Sequence, residues 1–243
     1  RLSLEGLGLL AFRLVRPAGW RPPEPLLAPP WSLQLEDAWT LLALLVDTLR
    51  MQGAVTFPQN VDARDEVFAP RNRPIYIREE GADSKRNVLS WLPTRGTNRR
   101  LDILDRLLAK KDPALPPPER QRVAVECLRG IWRHLTSPVW RQHFVSSQPQ
   151  GVGVVYQVSH EFWELVPSDN GVGYRCNRCR TISPHNSFGV CPTFRCTGEL
   201  EPLQVADADL ADNHYRALYL GLIPLPLSAE EHTAQWTSEE AGK

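Results

Sequence analysis

Apolar residues recur with a helical period in three stretches of the chain. The clearest covers residues 32–51, and Gly53 follows it as a predicted C-terminal stop. Two shorter stretches, 98–109 and 119–135, are amphipathic in the same way and are separated by a proline-rich segment at 113–118. The apolar faces consist of Leu35, Ala38, Trp39, Leu42, Leu45, Val46 and Leu49, then Leu101, Leu104, Leu107 and Leu108, then Val123, Cys127, Leu128, Ile131 and Trp132. Each stretch predicts a helix that packs on a core.

Other stretches favour β-structure. Residues 2–16 are apolar and strand-like, and 75–77 and 88–92 predict two strands separated by a turn. Residues 152–165 alternate between apolar and polar positions as the strands of a hairpin do. A short helix is predicted over 212–220.

The 22 prolines cluster in three places and divide the chain. Proline fixes φ and removes a hydrogen-bond donor, so residues 17–30 predict a surface connector without helix or central strand. We expect an α+β fold in which a helical, winged-helix-like domain is followed by a β-mounted, four-cysteine zinc ribbon. The predicted segments are 1–31 (strand-like segment and connector), 32–148 (helical domain), 149–204 (hairpin and ribbon) and 205–243 (short helix and start of a further lobe).

The composition is that of an ordinary globular protein, with 42% hydrophobic and 23% charged residues. The formal net charge is zero, so the overall charge gives no indication of a nucleic-acid partner. No run of about 18 uncharged apolar residues occurs, and we expect no membrane span. The cysteine pattern suits a reducing compartment and predicts a cytoplasmic location. Because the sequence begins at Arg1 rather than methionine, we expect it to be a piece of a longer protein.

Four of the five cysteines lie close together, in one pair spaced C-x2-C and one spaced C-x4-C. Two thiolates a few residues apart can bind one tetrahedral ion from a tight turn, and two such turns complete a closed shell. The pattern therefore predicts a structural Zn²⁺ site. Its ligands would be Cys176, Cys179, Cys191 and Cys196.

Other uses of these residues are open at this point. The cysteines would form two disulfides if the chain were secreted. His185 lies between the pairs and could replace one cysteine, and a catalytic zinc would need such a ligand or an open position. Cys127 belongs to a predicted helix and is expected to be a buried core thiol. Tyr174 and Phe194 are expected to cover the metal site.

Basic residues are concentrated between positions 71 and 100. This window holds eight arginines and lysines against three acidic residues, a local net charge of +5. Its last part, 94–100, combines hydroxyls, backbone donors and arginines at the start of a predicted helix, which is a plausible cradle for phosphate. A solvated basic surface is the alternative. The predicted nucleic-acid contacts in this window are Lys85, Arg86, Arg95, Arg99 and Arg100.

The last segment, Leu227–Lys243, contains the tetrapeptide His232-Thr-Ala-Gln235. It resembles the opening of the second RecA-like lobe of large superfamily 2 ATP-dependent helicases, the DEAD/DEAH-like group with a cysteine-rich module (Lhr-like and MrfA-like helicases). There a His-Thr/Ser-Ala-Gln turn precedes a helix. The opening Arg1–Leu10 and the Tyr-Arg-Cys-x-x-Cys that begins the cysteine pattern are similar to that group as well.

The resemblance implies an inner accessory region of a helicase together with the start of its second lobe. It implies that His232 and Gln235 face the nucleic-acid strand or the cleft between lobes, and that DNA and the other helicase lobes are the partners. ATP and Mg²⁺ are implied only for the parent protein. The sequence departs from a complete motor, because it contains no G-x-x-x-x-G-K-[ST] loop and no Asp-Glu-x-His or Asp-Glu-Ala-Asp motif. An exposed polar tail is the alternative for residues 228–243.

Two functions follow from these observations. The first is a zinc-containing region of a DNA helicase that engages nucleic acid and has no catalytic residue of its own. The second is a protein-interaction module, in which the ribbon and a tryptophan-rich surface bind a partner protein without direct nucleic-acid contact. A self-standing metal-dependent hydrolase is a third possibility and requires an open metal position.

Overall fold

The computed structural model describes residues 3–69, 72–167, 173–203, 210 and 212–221. Its helices are α1 (Glu24–Leu27), α2 (Leu35–Gln52), α3 (Arg99–Lys111), α4 (Pro117–Leu135) and α5 (His214–Gly221). The three long helices lie where the apolar period predicts them. Gly53 ends α2 in a left-handed conformation with φ of 86°, as predicted. The Asn98 side chain accepts a hydrogen bond from the Leu101 amide and begins α3.

The strands form three small sheets, and the mixed α+β class is confirmed. The strands are β1 (Leu10–Leu14), β2 (Tyr76–Glu80), β3 (Val88–Leu92), β4 (Phe144–Ser147), β5 (Val155–Val158), β6 (Trp163–Pro167), β7 (Tyr174–Cys176), β8 (Ile182–Ser183) and β9 (Leu200–Pro202). One sheet has the order β3-β2-β5-β4, a second pairs β1 with β6, and a third has the order β8-β7-β9. Strand β7 of the third sheet contains Cys176, and Cys179, Cys191 and Cys196 lie in the connections between its strands.

Helix α2 lies at the centre of the main hydrophobic core. Its residues Leu41 to Val46 are all at most 1% exposed, so it is covered on every side. The same core includes Leu14, Leu26 and Val190, and it therefore joins three of the four segments predicted from the sequence. None of the helices in the described part of the chain has the length and apolar content that crossing a membrane requires.

The predicted hairpin over 152–165 is wrong. Strands β5 and β6 follow each other in the chain but belong to different sheets. β5 pairs with β4, whereas β6 pairs with β1, where Leu14 lies opposite Trp163. A single turn of 3-10 helix at His160–Phe162 separates the two strands, and Phe162 is buried in the core. Alternation along one strand shows that a partner exists without showing which partner it is.

The two strands predicted over 75–77 and 88–92 are present as β2 and β3, and they run parallel. Residues 81–87 connect them, with a 3-10 turn at Ser84–Arg86 and a left-handed Asn87. A wing in a winged helix is an antiparallel hairpin, so this pair does not supply one. The winged-helix expectation is not confirmed.

The proline-rich connector is more structured than the sequence predicts. It contains α1, and Leu26 from this short helix is completely buried. Pro25 packs against α4 at Gly130, where an added Cβ would lie 2.3 Å from Pro25 Cγ. Only glycine permits this close approach. Prolines that cannot continue a helix thus still contribute a buried contact.

Candidate metal centre

The four predicted ligand cysteines form one compact cluster. All four Sγ atoms lie within 4.8 Å of one another, and this is the group that the described residues offer to a metal ion. The Sγ atoms of Cys176 and Cys196 are 3.7 Å apart, and those of Cys179 and Cys191 are 3.5 Å apart. Around a tetrahedral ion with metal–sulfur bonds of about 2.3 Å, sulfur atoms lie about 3.8 Å apart. The cluster is therefore positioned to bind a metal ion, and all four cysteines are free thiols rather than disulfides.

Two tight turns supply the ligands. We call Cys176–Cys179 the first knuckle and Cys191–Cys196 the second knuckle. Backbone amides point at the sulfur atoms: Cys179 N donates to Cys176 Sγ at 3.5 Å, and Thr193 N donates to Cys191 Sγ at 3.4 Å. Such donors stabilise the negative charge of thiolate ligands. Each turn ends near an arginine in the left-handed region, Arg180 or Arg195.

Gly198 allows the two knuckles to meet. A Cβ at this position would lie 2.6 Å from Cys176 Sγ and 2.5 Å from the Cβ of Arg178. Its amide donates to Cys196 Sγ at 3.4 Å. The second residue after the second knuckle must therefore be glycine for the chain to pass the first knuckle. Sequence inspection missed this requirement, since one glycine among 15 carries no distinguishing signal.

The cysteines differ in their exposure and in their pKa values. Cys176 and Cys191 are fully buried, and Cys179 is exposed. Burial raises the pKa values of the Cys191 and Cys196 thiols. Burial also disfavours the thiolate of Cys179, but hydrogen bonds with Thr181 and Thr193 outweigh it and lower the pKa to about 6. Because metals bind thiolates, loading the site releases the protons that the buried thiols hold.

The cluster is covered differently from the prediction. Leu200 and Tyr174 pack against the cysteines, as predicted for Tyr174. Phe194 does not belong to this packing and remains 38% exposed. His185 is not one of the ligands; it lies in a partly buried position, and burial together with Arg13 and Arg50 lowers its pKa to about 4. Cys127 is a buried core thiol, as predicted, and burial raises its pKa.

Helix α3 holds the second knuckle in place through a stripe of charged residues at every fourth position. Arg106 Nη1 donates to the Cys196 carbonyl at 2.7 Å, and its Nη2 donates to the Thr193 carbonyl at 3.3 Å. Asp102 accepts from the Arg195 amide at 2.9 Å and forms an ion pair with Arg106. Lys110 pairs with Glu199 at 2.6 Å. The metal-site segment is thus fixed to the helical core. No local sequence pattern predicts this contact between α3 and the second knuckle.

Arg106→Ala should loosen this attachment without removing a ligand. The substitution deletes two hydrogen bonds to the second knuckle and the ion pair with Asp102, at a cost of about 1–3 kcal/mol. We expect faster amide hydrogen exchange in residues 190–198, with the metal content unchanged. Arg122→Ala on α4 is the matched control, because Arg122 forms only exposed ion pairs. Equal exchange rates in both variants would contradict the docking role of Arg106.

The structure divides the predicted nucleic-acid contacts into separate groups. Lys85 and Arg86 lie on the 3-10 turn before β3, whereas Arg95 and Arg99 follow the end of that strand. A strand of five residues is about 16 Å long, so the two pairs occupy opposite ends of β3. Arg86 donates to the Gly151 carbonyl, and Lys85 and Arg95 are exposed. His232 and Gln235 lie outside the described residues.

Arg100 requires a correction, because it is only 2% exposed. Its Nε donates to the Trp91 carbonyl at 3.1 Å, and its Nη2 donates to the Ser90 carbonyl at 2.7 Å. Its Nη1 donates to Thr48 Oγ1 at 2.8 Å and Gln52 Oε1 at 3.2 Å. Burial, assisted by the charge of Arg99, lowers its pKa to about 9, so it remains charged at neutral pH. A guanidinium with these internal partners cannot reach a phosphate outside the protein.

A cavity of about 770 Å³ lies between the helical core and the first knuckle. We call it the arginine cleft, because Arg50, Arg99, Arg175 and Arg180 line it. Glu5 and Asp47 also line the cleft, and both form ion pairs with Arg50. Cys179 and Thr193 form part of the wall, so the cleft borders the cysteine cluster directly.

These observations define the class of the molecule: a mixed α+β protein with a four-cysteine site that is positioned to bind a metal ion. Comparisons with protein-family models, with curated proteins and with solved structures find no match.

Proposed function

We propose that the chain is a zinc-containing accessory region of an ATP-dependent superfamily 2 helicase and that it engages DNA. The arginine cleft beside the cysteine cluster is the observation that carries the nucleic-acid part of this proposal. The helicase part rests on the resemblance of residues 227–243 and of the chain's opening to that group. ATP and Mg²⁺ would be bound by other parts of the parent protein, and a cytoplasmic location follows from that role.

Zinc is the metal that best suits the site. Four thiolates in a tetrahedral arrangement are the usual ligand set of a structural Zn²⁺ ion, and two such knuckles are typical of a zinc ribbon. With four sulfur ligands the shell has no position for a water molecule to be activated. The ion would therefore stabilise the ribbon rather than catalyse a reaction, which disfavours the hydrolase alternative.

The charges in the arginine cleft favour a polyanionic ligand. Within its lining, Glu5 and Asp47 form ion pairs of 2.7 and 2.6 Å with Arg50. Four arginines stand against these two carboxylates, so the lining has an excess of positive formal charge. A concave site with such an excess raises the local concentration of anions, and the DNA backbone is an anion at every nucleotide. Arg99 opens α3, whose N-terminal dipole adds to the positive potential.

Arg99→Glu should weaken DNA binding by roughly tenfold and lower the slope of log affinity against log salt by about one. Folding should be spared, because glutamate is favourable in the first turn of a helix. Fluorescence anisotropy with labelled DNA over a salt series measures both quantities. Arg122→Glu is the control: it makes the same change in net charge at an exposed position of α4, and it should leave the affinity unchanged. DNA binding that is equal in the two variants would remove the arginine cleft from the proposal.

A protein-interaction module remains the second candidate, and one observation favours it. Helix α5 exposes three large side chains, Tyr215 at 47%, Tyr219 at 61% and Leu220 at 65%. Exposed aromatic and aliphatic side chains grouped on one short helix are typical of protein interfaces. Salt distinguishes the candidates, since an apolar interface lacks the steep, log-linear salt dependence of phosphate binding.

A further inference from the structure

Two phenylalanines in or just before the second knuckle are exposed to solvent. Phe188 is 42% exposed and Phe194 is 38% exposed. The apolar residues that cover the cysteine cluster are Leu200 and Tyr174, so neither phenylalanine serves that purpose. Both rings also lie outside the main core. Two large rings in one short segment are thus held where they contribute little to burial.

Each ring carries a cation over its face. Lys111 Nζ lies 5.0 Å from the centroid of the Phe188 ring, and the Arg195 guanidinium lies 5.0 Å from that of Phe194. Exposed cation–π contacts of this kind are weak and do not by themselves explain an exposed ring. A cation over one face of a ring leaves the exposed remainder of that ring for a base. The ring then stacks on the base, and the cation attracts the backbone phosphate.

The backbone fixes both rings relative to α3. The Phe188 carbonyl accepts from Lys110 Nζ at 3.1 Å, and the amide next to it, Gly189 N, donates to Asn186 Oδ1 at 2.7 Å. At the other end, the amide of Arg195, directly after Phe194, donates to Asp102. Positions 102 and 110 are eight residues apart, which is about 12 Å along a helix. The backbone beside each ring is therefore attached at its own point along α3, and a short stretch of a single strand can span the separation of these points.

We propose that Phe188 and Phe194, with Lys111 and Arg195, form a stacking platform for unpaired bases, and that the nucleic acid engaged by this chain is single-stranded DNA. This inference rests on the proposed function and names its substrate class. Bases in a duplex stack on each other and leave no face for a protein ring, whereas every unpaired base has one. The platform lies on the same ribbon that borders the arginine cleft, so stacking and phosphate attraction would act on one strand.

The test compares three labelled ligands of equal length: a single strand, the same strand with abasic residues, and the duplex. An abasic strand keeps the phosphates and loses the stacking faces. We expect the single strand to bind best. The variant Phe188→Ala/Phe194→Ala should lose about fivefold to about a hundredfold in affinity for it. The same variant should bind the abasic strand as the unmodified protein does.

Two control variants test whether the loss of affinity comes from misfolding or from the removal of any exposed aromatic ring. Phe188→Tyr/Phe194→Tyr keeps the stacking faces and should restore most of the affinity. Phe68→Ala removes a phenylalanine that is 36% exposed elsewhere on the protein and should have no effect. Metal content and circular dichroism of every variant show that the ribbon is intact.

The outcomes separate this inference from the proposal beneath it. Equal affinity for the single strand and the abasic strand, with no effect of either phenylalanine pair, overturns the stacking platform and leaves phosphate binding by the arginine cleft standing. Absence of binding to every ligand at low salt overturns both.

Discussion

Replacing Cys176 with serine is expected to abolish metal binding and to unfold the segment that carries the knuckles. A serine hydroxyl stays protonated at neutral pH and does not replace a thiolate ligand. The free energy with which a structural zinc ion binds, about 10–16 kcal/mol in small zinc domains, is also the folding free energy of the segment around it. Cys176 is fully buried in the first knuckle, and its Sγ packs closely against Gly198, so the substitution also acts at a tightly packed position.

Metal analysis and limited proteolysis would measure this result. The unmodified chain should hold one ion and resist cleavage across residues 173–203, and Cys176→Ser should hold none and be cleaved there. Cys127→Ser is the matched control, since Cys127 lies in the main core and away from the cluster. It should cost some stability and keep the metal. The role of the ion would be refuted by a chelated sample with an unchanged melting curve and unchanged protease resistance.

The parts of this structure that the sequence predicts well are those that local chemistry determines. α2, α3 and α4 follow from the helical period, and their observed ends fall within a few residues of the expected ones. The ligands of the cysteine cluster follow from spacing, because two thiolates with two to four residues between them can bind one ion from a tight turn. In each case, residues that are close together in the sequence are sufficient to predict the element or the ligand set.

The parts that the sequence does not predict depend on contacts between distant segments. β5 and β6 have the alternation of a hairpin, yet β6 finds its partner in β1, some 150 residues earlier in the chain. In the sequence, the stripe Asp102, Arg106 and Lys110 looks like an ordinary solvated helix face. Its partners are backbone groups and Glu199 of the distant metal-site segment. The local sequence pattern predicts neither the β1–β6 pairing nor the contact of this stripe, since it does not show which surfaces pack together.

Arg99 and Arg100 show the same limit within two adjacent residues. Both belong to the basic window, and the sequence assigns both to phosphate contact. Consecutive residues on a helix point about 100° apart, so one can face solvent while the next faces the core. Here Arg99 lines the arginine cleft and Arg100 is buried between α2 and β3. A variant that changed both would therefore confuse loss of binding with loss of folding.

Arg100→Ala is expected to destabilise the protein by about 3–5 kcal/mol, the loss that follows from breaking a buried, hydrogen-bonded charged group. The Ser90 carbonyl and Thr48 Oγ1 would lose the hydrogen bonds that Arg100 donates, and the Trp91 carbonyl would keep only the one from Asn98 Nδ2. The Trp91 ring, over which the guanidinium lies at 4.9 Å, would face a cavity. A urea titration at neutral pH measures the change in the free energy of unfolding.

Arg99→Ala is the matched control, because it removes the same side chain one position earlier at a site with partial exposure. It should change the free energy of unfolding by less than about 0.5 kcal/mol and should weaken DNA binding, whereas Arg100→Ala should lower stability strongly. Arg100→Ala protein that is still folded should bind DNA with near-normal affinity. The opposite pattern, with a stable Arg100→Ala protein that binds DNA poorly, would show that Arg100 reaches the ligand and that its internal hydrogen bonds contribute little to the fold.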